Sequence, residues 1–262
     1  MSSFLRLRQI CLSAPQLAPV VDAVREIFGL DVCFRDANVA PYGLENALFV
    51  FGHAFVEIVA PTRPDTAVSR FIERSGGRGG YMAIFDCNDP HRRREWVEKL
   101  GIRVANVLHH PGFWGIQLHP RDCRAAMLEF DRSEDNESLD RAYHPAGPDW
   151  QDFQRLDRAS GIARIDVSSP RPDELARHWA AICDRPLERV TEGNTSHPQL
   201  DFDLGAARFV SSGSDPAERL STLVVTVGDP EAVLAAADRT GRDVRDGAFE
   251  LAGMTVRPIV QD

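Results

Sequence analysis

Apolar positions along the first third of the chain change period in a regular way. Residues 6–13 alternate as a strand, and Pro15 opens a helix whose Leu17, Val20, Val21, Val24, Ile27 and Phe28 share one face. Gly29 ends that helix, and strands are predicted near 31–35, 46–51 and 54–59, the last two joined by Gly52-His53. The order then repeats. A strand over 81–87 leads into a helix over 90–100 carrying Trp96, Val97 and Leu100, followed by strands near 103–108, 113–119 and 125–131. The recurring unit is βαβββ.

Residue-level repeats support the same division. Phe28-Gly29-Leu30-Asp31-Val32 recurs as Leu100-Gly101-Ile102-Arg103-Val104, and Val56-Glu57-Ile58 as Leu128-Glu129-Phe130, both at an offset of 72. Gln9-Ile10-Cys11-Leu12 matches Met82-Ala83-Ile84-Phe85 at 73. The second half repeats the scheme: Asp89-Pro90 through Val104 returns as Asp229-Pro230 through Val244 at 140, and Gln9 through Pro15 as Arg164 through Pro170 at 155. The pattern predicts an α+β fold of two tandem modules over 1–132 and 160–262. The polar, aromatic-containing segment 133–159 (Tyr143, Trp150, Phe153) is predicted to be an ordered linker packed across them.

Composition narrows the class of function. At 262 residues, 43% apolar and 26% charged, the chain can bury two cores. A net charge of −9 argues against a nucleic-acid binder, and Arg92-Arg93-Arg94 reads as a solvated helix start. Five scattered cysteines without a CxxC pair make neither a disulfide framework nor a zinc ribbon. No apolar run approaches the ~20 residues of a membrane span and no leader pattern is visible, so the cytoplasm is the expected compartment. One lysine, Lys99, against 29 arginines points to a GC-rich, bacterial-type genome. Gly76-Gly77-x-Gly79-Gly80 is not a phosphate loop, because no Lys-Ser/Thr follows it and a strand comes next.

Strand–Pro–helix–Gly-Leu-x-Val, followed by the hairpin reading Val56-Glu57-Ile58-Val59-Ala60-Pro61, resembles the vicinal oxygen chelate superfamily. That group includes glyoxalase I, methylmalonyl-CoA epimerase, extradiol dioxygenases and drug-binding resistance proteins. Leu118-His119-Pro120-Arg121-Asp122-Cys123 leading into Met127-Leu128-Glu129-Phe130 is similar to the final hairpin of the epimerases. The resemblance implies two βαβββ units curled into a half-open barrel, with a metal held by the first and last strand of each unit. Carried over, those positions are Gln9, Glu57, Met82 and Glu129.

The repeat sets Glu57 opposite Glu129, and strand alternation puts both on the face away from the helices. Paired carboxylates in a cleft suit proton abstraction next to a carbonyl. The resemblance also implies a divalent ion (Mg²⁺, Mn²⁺, Ni²⁺, Zn²⁺ or Fe²⁺) on Gln9, Glu57 and Glu129. Met82, where an imidazole belongs, favours a degenerate or metal-free site. His119, Trp114 and Asn46 are the expected substrate contacts, with Glu45 as the alternative to Asn46 as the residue nearest a second base. In the second module the corresponding positions read Arg164, Phe209 or Val210, Thr222 and about Arg257, so it is expected to cover or pack rather than hold a metal.

The expected function is an isomerase, epimerase or lyase acting on a small oxygenated or thioester metabolite. The expected partners are that small molecule and a second copy in a homodimer, with neither nucleic acid nor membrane. The alternative is a non-catalytic binding protein of the drug-sequestering type. An extradiol dioxygenase is disfavoured, because no histidine lies on the required strands of the second half.

Overall fold

The computed structural model describes residues 4–260 as two seven-stranded mixed sheets with helices packed outside them. The first holds β1 (Leu5–Ser13), β2 (Leu44–Phe51), β3 (Ala54–Pro61), β4 (Met82–Cys87), β5 (Val104–His110), β6 (Phe113–Leu118) and β7 (Met127–Ser133), in the order β2-β3-β1-β4-β7-β6-β5. The second holds β8 (Ala159–Ser169), β9 (Glu188–Glu192), β10 (Thr195–Asp201), β11 (Ala206–Ser211), β12 (Arg219–Val227), β13 (Phe249–Leu251) and β14 (Met254–Ile259), ordered β13-β14-β12-β8-β11-β10-β9. In each sheet the first strands of the two units pair antiparallel at the centre, and each pairs in parallel with the last strand of its own unit.

Helices form where the apolar period requires. Helix α1 (Leu17–Phe28) buries Val21, Val24, Ile27 and Phe28, and Gly29 closes it in the left-handed region at φ 67°. Helix α3 (Pro90–Lys99) starts on an Asp89 side chain accepting from the Arg92 N–H, with Pro90 in the first turn. Helices α5 (Pro172–Cys183) and α6 (Pro230–Arg239) repeat the Pro start in the second module. The helix-facing side of each strand is apolar: Ile10, Leu12, Val56, Ile58, Ala83, Phe85, Leu128 and Phe130 are all buried. They join Ile165, Val167, Leu223 and Val225 in one continuous core. Burial of this kind is the main favourable term in folding.

Two features depart from the sequence reading. The strand expected near 31–35 is reduced to a single bridge, Phe34 to Leu48. Its continuation is diverted when the Asp36 side chain accepts from the Asn38 N–H and starts a 3₁₀ helix (Ala37–Tyr42) containing Pro41. An unpredicted helix, α2 (Ala67–Ser75), follows β3, started by a Thr66–Ser69 capping box and closed by Gly76. It packs Val68 and Ile72 against Cys11, Val59 and Met82 on the concave side of the first sheet.

Segment 134–158 crosses the other end of that concave side. Tyr143, Ala146 and Trp150 bury themselves against Leu48, Val50 and Phe55. The modules also meet through two hairpin tips. Gly52 donates to the Ala159 carbonyl at 3.1 Å, and Gly253 accepts from Gly79 at 2.6 Å. A Cβ on Gly52, already at φ 62°, would lie 1.9 Å from the Ser160 carbonyl oxygen; one on Gly253 (φ 81°) would lie 2.0 Å from that of Gly77. Each tip needs a residue that tolerates positive φ and offers no side chain.

Gly52→Ala is therefore expected to destabilise the chain by about 2 kcal/mol or more, through both the backbone conformation and the backbone clash. Denaturant unfolding would show it as a lowered midpoint. An unchanged midpoint would mean that this tip does not dock as described.

Candidate functional site

The strand register brings the predicted carboxylates to one face. Glu57 stands across from Cys11 on the β3–β1 ladder, and Glu129 across from Ile84 on the β7–β4 ladder. Cys11 and Ile84 are themselves 73 residues apart, so the two acids are equivalent under the internal repeat. Between them, Gln9 pairs with Ile84 and Cys11 with Met82 at the centre of the sheet. Side chains of one parity on all these strands point to the concave side.

Burial governs the electrostatics. Glu57 is 9% exposed and Glu129 4%, and both carboxyls are pushed above their usual range chiefly by desolvation. For Glu57, hydrogen bonds pull the other way. Asn46 Nδ2 donates to Oε1 at 2.7 Å and Gln9 Nε2 donates to Oε2 at 2.9 Å. Asn46 is oriented in turn by the Asp36 N–H, which donates to its Oδ1 at 2.8 Å. Glu129 accepts a single amide bond, from Gln117 Nε2 at 2.9 Å, and also feels the Glu57 charge. Its carboxyl is raised to about 7, so it changes charge near neutrality.

The acids continue one step along the same strands. Asp131, fully buried, lies beside Asp86 in the β7–β4 ladder and is held well above the usual carboxylate range by burial and by its acidic neighbours. A register shift between Leu7 and Gln9 accompanies the inward turn of Arg8. Its guanidinium lies 5.2 to 5.7 Å from the ring centres of Tyr143, Phe55 and Trp150 and donates to the Leu139 carbonyl at 2.7 Å. The Tyr143 hydroxyl faces Asp131 without completing hydrogen-bond geometry. Arg6 donates to Asp86 at 3.2 Å and to the carbonyls of Asn136 and Glu137, fastening segment 134–158 over this end. Strand parity alone could have flagged Asp86 and Asp131. Arg8 was hidden by the register shift, and Tyr143 by its place in the linker.

The remaining predicted residues separate. Asn46, rather than the exposed Glu45, turns inward and joins the cluster through Glu57. His119 caps the short helix α4 (Pro120–Cys123), accepting from the Arg121 N–H at 3.3 Å and lying 3.3 Å from Arg103 Nη2. It lines a neighbouring cleft and forms no hydrogen bond to either carboxylate. Trp114 belongs to the helix-packed parity of β6 and stacks on His91 at 3.8 Å, on the opposite face from Gln117.

The donor set does not fit a glyoxalase-type metal. Both Glu57 oxygens are engaged by amide N–H groups, and Met82 is embedded among Cys11, Val59, Val68 and Ile84. Gln9 Oε1 is the buried amide oxygen left without a protein partner. A thioether and two or three oxygens fall short of what hard divalent ions require. Among the described residues no group of three or more His, Cys, Asp or Glu is placed to hold a metal ion.

In the second module Arg164, Thr222 and Arg257 occupy the positions of Gln9, Met82 and Glu129, as their ladder partners show. The Glu57 position is Arg208, which stands across from Asp166, and not Phe209 or Val210. The sequence expectation missed by one residue because a one-residue slip in a strand exchanges faces. None of these four positions carries a histidine or a carboxylate.

No family model matches the chain, and none of the curated proteins does. Among solved structures, a hypothetical protein from Staphylococcus aureus aligns over 98% of this chain and 100% of its own, with a TM-score of 0.67 and 12% identity. A mutant 4-hydroxymandelate synthase from Streptomyces coelicolor aligns over 92% of this chain and 76% of its own, with a TM-score of 0.61 and 13% identity. A methylmalonyl-CoA epimerase variant from the same organism, in complex with 2-nitronate-propionyl-CoA, aligns over 52% of this chain and 99% of its own. Its identity is 22% and its TM-score 0.46. No helix among the described residues is long and apolar enough to cross a membrane. Two seven-stranded mixed sheets, the first a curled half-barrel and each built on paired first strands, with superpositions over 98% and 92% of the chain, give this protein an α+β fold of tandem vicinal-oxygen-chelate-type modules.

Proposed function

We propose that the chain is an isomerase or lyase that moves a proton at a carbon next to a carbonyl, using Glu129 and Glu57 and no metal. The first module, residues 1–132, carries the chemistry; 160–262 supports it, and 133–159 closes one end. One observation carries the reading: two desolvated carboxyls share a concave face, and one of them is raised to about 7. Such a pair holds a proton between its members near neutrality. The ionised member serves as base, and the protonated member can donate to the developing enolate oxygen. Gln117, Gln9 and Asn46 fix the carboxyl orientations. A small oxygenated acid or a thioester has the acidified carbon this chemistry needs.

A second reading is a small-molecule binding protein. It is favoured by the depth of both acids and by the apolar Met82, Ile84 and Val59 around them.

Deuterium wash-in from D₂O, followed by mass spectrometry over a set of α-substituted thioesters and α-hydroxy ketones, separates the two. Exchange is expected for at least one member. Glu129→Gln should slow it by about 10²–10⁴-fold while the fold is retained. The rate should fall as pH rises through about 7, as Glu129 loses the proton it donates and Glu57 alone remains as base. Compounds that bind the wild type without exchanging would establish the binding-protein reading instead.

Stability should report the same titration. Glu129 ionises more easily unfolded than folded, so the folded chain binds the extra proton between the two pKa values. Stability is therefore fullest below the unfolded value and is lost as pH rises through about 7. The loss from this group is on the order of 3 kcal/mol. Unfolding midpoints at pH 5 and pH 8 should differ in that direction, and Glu129→Gln should reduce the difference. A chain more stable at pH 8 would contradict the buried-carboxyl geometry.

A further inference from the structure

The chain carries a net charge of −9, yet one cleft gathers positive charge. It encloses about 670 Å³ between α2, the α4 turn and the start of β12, so both modules contribute to it. Six arginines line it: Arg70, Arg74, Arg78, Arg121, Arg124 and Arg219. Three of them are ion-paired with neighbours, Arg124 with Glu174 and Glu218, and Arg78 and Arg219 with the one Asp215 carboxylate. Among the described residues, Arg70 donates only to the Asp65 carbonyl, and the side chains of Arg74 and Arg121 form no hydrogen bond or ion pair. These three uncompensated guanidiniums come from two different elements, α2 and α4, and stand around one space.

The cleft floor packs on the apolar cluster that lies beside Glu57. Phe71 and Tyr81 meet edge to face at 5.1 Å, and Tyr81 and Met127 pack on the apolar cluster of Cys11 and Met82. Cys11 is the ladder partner of Glu57, and the Tyr81 phenol is pushed up to about 12 by burial and then by the Cys11 and Glu57 charges. A molecule entering between the arginines therefore meets an aromatic wall that packs on the apolar cluster containing Cys11, the ladder partner of Glu57.

We propose that this cleft is a polyanion site that takes the phosphate-bearing end of the ligand. Guanidinium forks match phosphoryl oxygens two at a time, and several of them spread around a cleft suit a multiply charged group better than one carboxylate. An arginine cluster in an otherwise acidic chain also draws such ligands to the mouth. The inference deepens the proton-transfer reading by naming the chemistry of the non-reacting end. It is tested separately from that reading.

The test is calorimetric titration of the full chain with inorganic pyrophosphate at low ionic strength. Saturable binding is expected, weakening as salt rises, with sulfate weaker than pyrophosphate. Arg74 and Arg121 are exposed and form no side-chain hydrogen bond or ion pair among the described residues, so Arg74→Gln/Arg121→Gln should fold normally and bind at least tenfold more weakly. Arg239→Gln, an exposed arginine of α6, removes the same kind of charge elsewhere and should bind like the wild type. No saturable binding, unchanged affinity in the double variant, or an equal loss in the Arg239 control would each overturn the proposal. Glu129→Gln should keep pyrophosphate affinity, so failure of the proton chemistry and failure of the anion site are read from different variants.

Discussion

Placing carboxylates on the inside of a curled sheet carries a desolvation cost, and most of the first module's polar architecture answers it. Glu57, Glu129, Asp86 and Asp131 all lie on the concave parity of their strands and are under a tenth exposed. A buried carboxyl must either keep its proton or receive donors, and the structure does both. Glu57 and Asp86 receive amide or guanidinium donors, whereas Glu129 has one amide and Asp131 has none. The supply of donors is uneven across the four acids. Glu129, with its single amide donor, has its carboxyl raised to about 7.

The same demand explains why the linker is ordered. Arg6 and Arg8 face the inner acids and donate to the carbonyls of Asn136, Glu137 and Leu139. Those bonds hold segment 134–158 across the sheet. Tyr143 and Trp150 then complete the wall, with Tyr143 stacked on Phe55 at 4.8 Å and Trp150 edge-on at 5.3 Å. At the other end α2 seals the apolar cluster around Met82 and sets its arginines at the cleft mouth. The two closures differ in character, one aromatic and the other cationic.

The two modules share a backbone plan and diverge in chemistry. Where the first has Gln9, Glu57, Met82 and Glu129, the second has Arg164, Arg208, Thr222 and Arg257. Arg164 and Arg208 are engaged locally by Asp166, Glu192 and Gln199. The second module keeps the pairing that folds the sheet and has lost the paired acids. Its use to the first lies at the contacts: the docked hairpin tips, and Arg219 and Glu218 in the arginine cleft.

Repeats of 72 and 73 residues within the first half, offsets of 140 and 155 between the halves, and period-2 alternation within strands determined the fold, the tandem organisation and the facing of Glu57 and Glu129. Those signals are local, and a sheet turns local parity directly into a shared face. Asn46 over Glu45 was open in the sequence and was decided by pairing with β3, because a slip of one residue reverses every side chain. Trp114 was misread for the related reason that an aromatic residue carries no mark of which face it takes. Arg8, Tyr143 and the arginines of α2 were invisible as a set. Their meeting depends on a register shift, on a linker folding back, and on two modules docking, and each of these brings together residues far apart in sequence. Burial, and with it the ionisation of Glu129 near neutrality, was likewise a property of the packed molecule, since desolvation depends on everything that surrounds a group and on no residue alone.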